Sequence, residues 1–143
     1  MNMDTTTHKM NFDGCSKGNP GKSGAGAVIY DNLNNEIWYN YVYVGDNTTN
    51  NVAEYFGCIL GLEECIKLEI KNLIIEGDSQ LIIKQLLGEY TVKSESMIPL
   101  HEKATTLLKF FNNIEIKHVY RKFNKRADEL SNLGLLKSNL IKK

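Results

Sequence analysis

No apolar run in the sequence approaches the ~20 residues needed to cross a bilayer, which excludes a transmembrane helix. The stretch from Met1 to His8 is polar and lacks the apolar segment of a secretory signal. The expectation is therefore a cytoplasmic protein with no membrane partner, a nuclear location being left open. Cysteine is scarce. Cys15, Cys58 and Cys65 are an odd number without a Cys-x-x-Cys pair, which argues against a disulfide framework and a structural zinc site. Arginine is scarcer still, with only Arg121 and Arg126. Net charge is absent too, because 17 Lys and Arg balance 17 Asp and Glu. No global field draws in a polyanion, so an anionic partner must be held by a local patch or by metal ions. Internal repeats and long linkers are also missing. What remains, 143 residues of which 42% are hydrophobic, suits one globular domain with a real core.

The apolar pattern orders that domain. Lys9 to Ser16 sets Met10, Phe12 and Gly14 against Asn11, Asp13 and Cys15, the alternation of a half-buried strand. Gly18, Pro20 and Gly21 mark a turn. Ala25 to Tyr30 and Ile37 to Val44 read as two more strands, so the chain opens as an antiparallel meander. A helix follows from about Asn51 to Leu68, capped by Asn50 or Asn51. Leu73 to Glu76 is a short strand, and Asp78-Ser79 is a cap for a helix running through Leu87 and stopped by Gly88. A helix over about Pro99–Phe111, a strand over Ile114–Tyr120 and a helix over about Lys125–Leu135 complete the series. Strands first, then alternating helices and strands, predict an α/β fold with one mixed sheet flanked by helices. The expected boundaries are a tail over 1–8, a domain over 9–135 and a lysine-rich tail over 136–143.

Gly21-Lys22-Ser23 invites a phosphate-loop reading, which fails on register. The motif needs a glycine where Ser16 stands, and a helix where "GAGAVIYD" is strand-like. A plain hairpin explains the glycines but not Asp13. Aspartate is depleted in strands, and burying it is costly unless it is paired or bound to metal.

Other acids raise the same question. The residues three, four, seven and eleven beyond Glu54 are Gly57, Cys58, Gly61 and Cys65, a small-residue stripe that lets a helix lie close on a sheet. Glu54 then points at the sheet, unless it is a partly exposed acid favoured by the helix dipole. Glu63, Glu64 and Glu69 are placed for solvent. Asp78 taken alone reads first as a helix cap and second as an acid at a strand end. Asp128 is either a first-turn surface charge or a residue turned inward beside Leu130. If the four converge they repel and raise one another's pKa values, which divalent cations relieve. Such a site suits Mg²⁺ or Mn²⁺, and a pair of ions about 4 Å apart is a device for phosphodiester hydrolysis.

Four strings occur in order: "DGCSKGNPGKSGAGAV", "TTNNVAEYFGCILGLE", "EGDSQLIIKQLLGEY" and "HVYRKFNKRADELSNLG". Together they resemble ribonuclease H type I over roughly Lys9 to Leu135. The resemblance implies the ribonuclease H-like fold, a five-stranded mixed sheet flanked by helices, and endonucleolytic cleavage of RNA paired to DNA. It implies that Asp13, Glu54, Asp78 and Asp128 are the catalytic, metal-binding carboxylates for two Mg²⁺ ions, with Mn²⁺ as a substitute. By motif, Asn19, Asn50, Asn51 and Gln80 match positions that touch the minor groove of the hybrid. Backbone groups at Gly14 and Cys15 match those that approach the RNA, and Thr49 matches a contact to a DNA-strand phosphate. Small polar groups suit a wide minor groove that displays 2′-hydroxyls. As capping and turn residues, the asparagines have an ordinary alternative.

The chain departs from many family members in two places. The segment "GEYTVKSESMIPLHEK" is short and not notably basic where others carry a basic protrusion, as in the shorter archaeal and plant-like branch. The loop "RKFNKR" also holds no histidine where some members carry one. His118 lies earlier, in the expected strand, and reads as structural; His8 falls in the tail, and His101 on a helix has no evident partner. Arg121 and Lys125, with Lys122 and Arg126, read either as a solvated loop or as local attraction for phosphate. The expected reaction is in-line attack of water on the scissile phosphorus, giving 5′-phosphate and 3′-hydroxyl ends, by a monomer acting on RNA/DNA hybrid. The alternative is a non-catalytic RNA- or hybrid-binding module on the same fold.

Overall fold

The computed structural model of the protein describes residues 6–137. Of the expected tails, residues 1–5 and 138–143 lie outside that range. The first strand, β1 (Thr7–Lys17), is longer than the alternation suggests and takes in His8. It is also not half-buried, since Met10 to Gly14 are buried on both faces. The reason is its place in the sheet. β2 (Gly21–Tyr30) and β3 (Glu36–Thr48) complete an antiparallel meander on one side of it. β4 (Asn72–Gly77) and β5 (Asn113–His118) extend the sheet in parallel on the other. The order β3-β2-β1-β4-β5 makes β1 central in a five-stranded mixed sheet.

Helix α1 (Asn50–Lys67) lies across β1 and β2, with Gly57, Cys58, Gly61 and Cys65 all buried beneath it. The stripe is small out of need, because a methyl on Gly61 would meet Met10 Cγ at 2.8 Å. Its cap is Thr49, not Asn50 or Asn51: the Thr49 hydroxyl accepts from the Val52 amide at 3.2 Å. α2 (Gln80–Leu86) is capped by Ser79, which leaves the Asp78 carboxylate uncommitted to the helix. Gly88 ends the segment with φ of 81°, where a side chain would be strained. α3 (Ile98–Leu108) packs on α1. The Tyr55 hydroxyl donates to Gln85 Oε1 at 2.6 Å, and His101 Nε2 lies 3.0 Å from the Gln85 carbonyl, so one buried glutamine ties the three helices together. His101 thus has the partner that the sequence did not suggest.

The main core lies between this helical layer and the sheet. Met10, Phe12, Ile29, Tyr55, Leu62, Leu73, Ile75 and Ile82 are all but fully buried there, each large apolar side chain contributing about 2–3 kcal/mol. α4 (Lys125–Leu136) covers the opposite face over β1, β2 and β3. It comes close because β2 offers no side chain at Gly26, where a methyl would lie 2.8 Å from the backbone of Leu130 and Ser131. Arg126 fastens the helix to the β3 edge. Its guanidinium donates to both Glu36 oxygens at 2.8 and 3.0 Å and to Glu129 at 2.9 Å, and lies 4.7 Å from the Tyr39 ring centre. The phosphate-attraction reading of Arg126 is therefore corrected, because two acids and a ring already hold it.

Candidate active site

The parallel register of β1 and β4 pairs Asn11 with Glu76. Two residues further along each strand direction stand Asp13 and Asp78, at the same end of the sheet. The first turn of α1 brings Glu54 over that end, and the close approach depends on Gly14, where a methyl would meet the Ala53 carbonyl oxygen at 2.6 Å. Oxygens of Asp13, Glu54 and Asp78 lie within 4.8 Å of one another. Asp128, from the first turn of α4, lines the same cavity without joining this trio, and its Oδ1 lies 3.4 Å from Asn132 Nδ2.

Burial is deep for acids, with Asp13 5% and Glu54 7% exposed. Burial, then repulsion from Asp78 and more weakly from Asp128, pushes the Asp13 carboxyl up from an ordinary 3.8 to about 7, although the hydrogen bond from the Gly14 amide resists this. Glu54 is driven well above the carboxylate range, by burial first and Asp13 second. Its Oε1 is buried with no hydrogen-bond partner. A polar atom left so costs about 1–3 kcal/mol or more. An all-oxygen donor set with an unmatched lone pair is the chemistry of a hard divalent cation site, and these residues fit one.

The cavity has a volume of about 520 Å³. Gly14, Cys15, Asn50, Asn51 and Arg121 line it together with the acids. The Cys15 thiol is half-buried, lies 3.4 Å from the Ser131 carbonyl and is raised by burial. Asn19 is outside the lining but adjoins it, its Oδ1 accepting from the Asn50 amide at 2.9 Å. Thr49 caps α1, and Gln80 and Lys125 are exposed beyond the lining. His118 lies edge-on to Tyr120 with ring centres 5.8 Å apart, away from the acids.

Sequence reasoning passed over Ser16, Ser79 and Asn124; Ser16 lines the cavity, its hydroxyl donating to the Thr48 carbonyl at 2.8 Å. Ser79 lines the cavity as well as capping α2. Asn124 is 2% exposed and donates from Nδ2 to Asp78 Oδ2 at 3.3 Å. The available signal was an asparagine at a helix start, which reads as an ordinary cap, yet its side chain makes no cap bond.

A family model described as reverse transcriptase-like matches residues 11–134. The bifunctional protein Rv2228c of Mycobacterium tuberculosis is 36% identical over 84% of this chain, which spans only 33% of that relative. The structure of its N-terminal RNase H domain, fused to maltose-binding protein, superposes with a TM-score of 0.90 at 31% identity, covering 97% of this chain and 100% of that one. Ribonuclease HI of Halobacterium salinarum is 36% identical over 87% of this chain and 62% of its own length. LC11-RNase H1, solved in complex with RNA/DNA hybrid, has a TM-score of 0.84 at 32% identity, covering 92% of this chain and 98% of its own. The chain thus spans about a third of the length of the mycobacterial relatives it matches.

Proposed function

The chain belongs to the ribonuclease H type I family, and on that premise we propose that it is a metal-dependent endonuclease hydrolysing the RNA strand of RNA/DNA hybrids. One observation carries the reading: the buried trio Asp13, Glu54 and Asp78, with Asp128 beside it and Glu54 Oε1 unmatched. A fold has no structural use for acids gathered at such cost.

Asp13, Glu54, Asp78 and Asp128 would hold two Mg²⁺ ions, or Mn²⁺ in their place. When bound, such ions lower the pKa of water and offset charge developing on the attacking and leaving oxygens. The chain's own groups do the rest. Arg121 at the cavity and Lys125 on the exposed side of the same segment attract backbone phosphate. Asn50, Asn51 and the backbone of Gly14 and Cys15 offer polar groups to 2′-hydroxyls. Asn19, held by the Asn50 amide, extends that surface, with Thr49 and Gln80 beyond it. Water attacks phosphorus, the P–O3′ bond breaks, and the proton lost by water is balanced by protonation of the 3′-oxygen. The products are a 5′-phosphate and a 3′-hydroxyl.

The same reading takes the protein as a cytoplasmic monomer with its working domain over 9–135. Among the described residues no helix is long and apolar enough to cross a membrane. A non-catalytic binding module is the rival, and the complete set of four acids speaks against it. The deciding assay offers matched RNA/DNA, RNA/RNA and DNA/DNA duplexes with and without Mg²⁺. Metal-dependent cutting confined to the RNA of the hybrid supports the proposal, and binding without cutting supports the module.

A further inference from the structure

The loop between β5 and α4 folds its end into the protein. After a single 3₁₀ turn over Arg121–Phe123, whose residues are all exposed, Asn124 is buried. Its Nδ2 donates to the Phe12 carbonyl at 3.0 Å and to Asp78 Oδ2 at 3.3 Å. Its Oδ1 accepts from Asn11 Nδ2 at 2.9 Å, and Asn11 Nδ2 also reaches Glu76 Oε1 at 3.1 Å. The Asn124 carbonyl accepts from the Asp128 amide at 3.0 Å, closing the first turn of α4. One residue therefore touches the residue before Asp13 and Asp78 itself with its side chain, and starts the helix that carries Asp128 with its backbone carbonyl.

A simple stabilising role fits poorly. The network leaves Asn11 Oδ1 buried without a partner, and a half-satisfied buried network is worse for stability than an apolar one. As a cap, Asn124 would aim its side chain at the α4 amides, and it does not. An amide is also the group suited to this position, because both donors of its NH₂ meet acceptors and its oxygen meets a donor. An acid there would set oxygen against the Phe12 carbonyl and Asp78.

We propose that Asn124 is the positioning residue of the carboxylate site, fixing Asp78 relative to β1 and to Asp128 so that cations find a preset cage. The inference rests on the metal-site reading of the acids. Partners that orient a ligand in this way change metal affinity by about 10- to 100-fold when removed.

The test titrates Mn²⁺ by calorimetry into the full chain, wild type beside Asn124→Ala and the near-isosteric Asn124→Asp, and measures kcat and KM on hybrid for each. Both variants are expected to bind Mn²⁺ about 10-fold or more weaker and to lose kcat. KM, and hybrid affinity in metal-free buffer, should stay as in the wild type. Folded variants with wild-type Mn²⁺ affinity overturn the inference, as does a defect confined to KM. Should neither variant fold, the wild type still decides: the Asn124 side-chain amide NMR signals should move when Mg²⁺ is added, and signals that stay in place overturn the inference. Wild-type protein that binds no Mn²⁺ overturns the metal-site reading and this inference with it, whereas wild-type binding beside unaltered variants overturns this inference alone.

Discussion

Carboxylate oxygens of Asp13 on β1 and Glu54 on α1 lie within 4.8 Å of each other across the seam between strand and helix. Burial raises both groups above the ordinary carboxylate value, so metal and proton compete for one place.

From this follows a pH dependence with a definite sign. Asp13 is raised from 3.8 to about 7 in the folded protein, by burial first and Asp78 second, and Glu54 is raised in the same direction. Between those values the folded state binds more protons than the unfolded state, so stability falls as pH rises. Without metal, the melting temperature should drop from about pH 4 to about pH 7, and saturating Mg²⁺ should flatten the drop. Melting scans at several pH values, with chelator or Mg²⁺, read this directly. A metal-free melting temperature that climbs over the window would contradict the buried-acid account.

Asp13→Asn should abolish cleavage and leave the fold intact. It removes a ligand and also removes repulsion from Asp78 and Asp128, so metal-free stability should stay equal or rise. Circular dichroism, melting and turnover separate the outcomes. Wild-type turnover would refute the assignment, and a large loss of stability would make Asp13 structural.

The two arginines should part company. Arg121→Ala should weaken hybrid binding and flatten its dependence on salt, because removing one cation from a phosphate lowers the slope of log affinity against log salt by roughly one. Arg126→Ala should leave binding alone and lower stability by about 1 kcal/mol, the scale of an exposed ion pair with a ring contact. With zero formal net charge, wild-type binding should rest on a few local lysines and arginines, so its affinity should be weak and fall as salt rises. Affinity measured across salt concentrations, with denaturant melts of both variants, tests both halves.

Cleavage should require several successive ribonucleotides. The proposed readers lie on separate segments: Gly14 and Cys15 on β1, Asn19 in the turn after it, Asn50 and Asn51 at the start of α1, and Gln80 at the start of α2. They would meet 2′-hydroxyls of different nucleotides. Each missing hydrogen bond costs about 0.5–1.5 kcal/mol, so the absence of two or three should slow cleavage by roughly one to three orders of magnitude. Initial rates on duplexes with one, two, three and four ribonucleotides give the answer, and a maximal rate at one would reject distributed reading.

Much of this was legible in the chain because local pattern and tertiary role agree. The small stripe after Glu54 turns that acid toward the sheet, and an aspartate inside an apolar alternation has few structural uses. Legibility failed where the deciding partner is remote. Capping chemistry permits Thr49 as well as Asn50, and Ser79 as well as Asp78, and the structure takes the hydroxyl residue both times. Arg126 looked like its basic neighbours because Glu36, which holds it, lies on the edge strand far back in the sequence. Asn124 carried the signal of a cap, and only the packed sheet reveals that its amide faces inward. β1 read as half-buried because alternation reports side-chain type, not the number of layers above and below.

The seating of α4 on the bare backbone at Gly26 has a consequence for synthesis. On the ribosome this helix emerges after every strand of the sheet, so for a time the meander presents an uncovered strip to solvent. A nascent chain at that stage holds three of its four acids and lacks Asn124 and Asp128. The cover over the bare strip and the fourth acid therefore arrive together, when α4 docks.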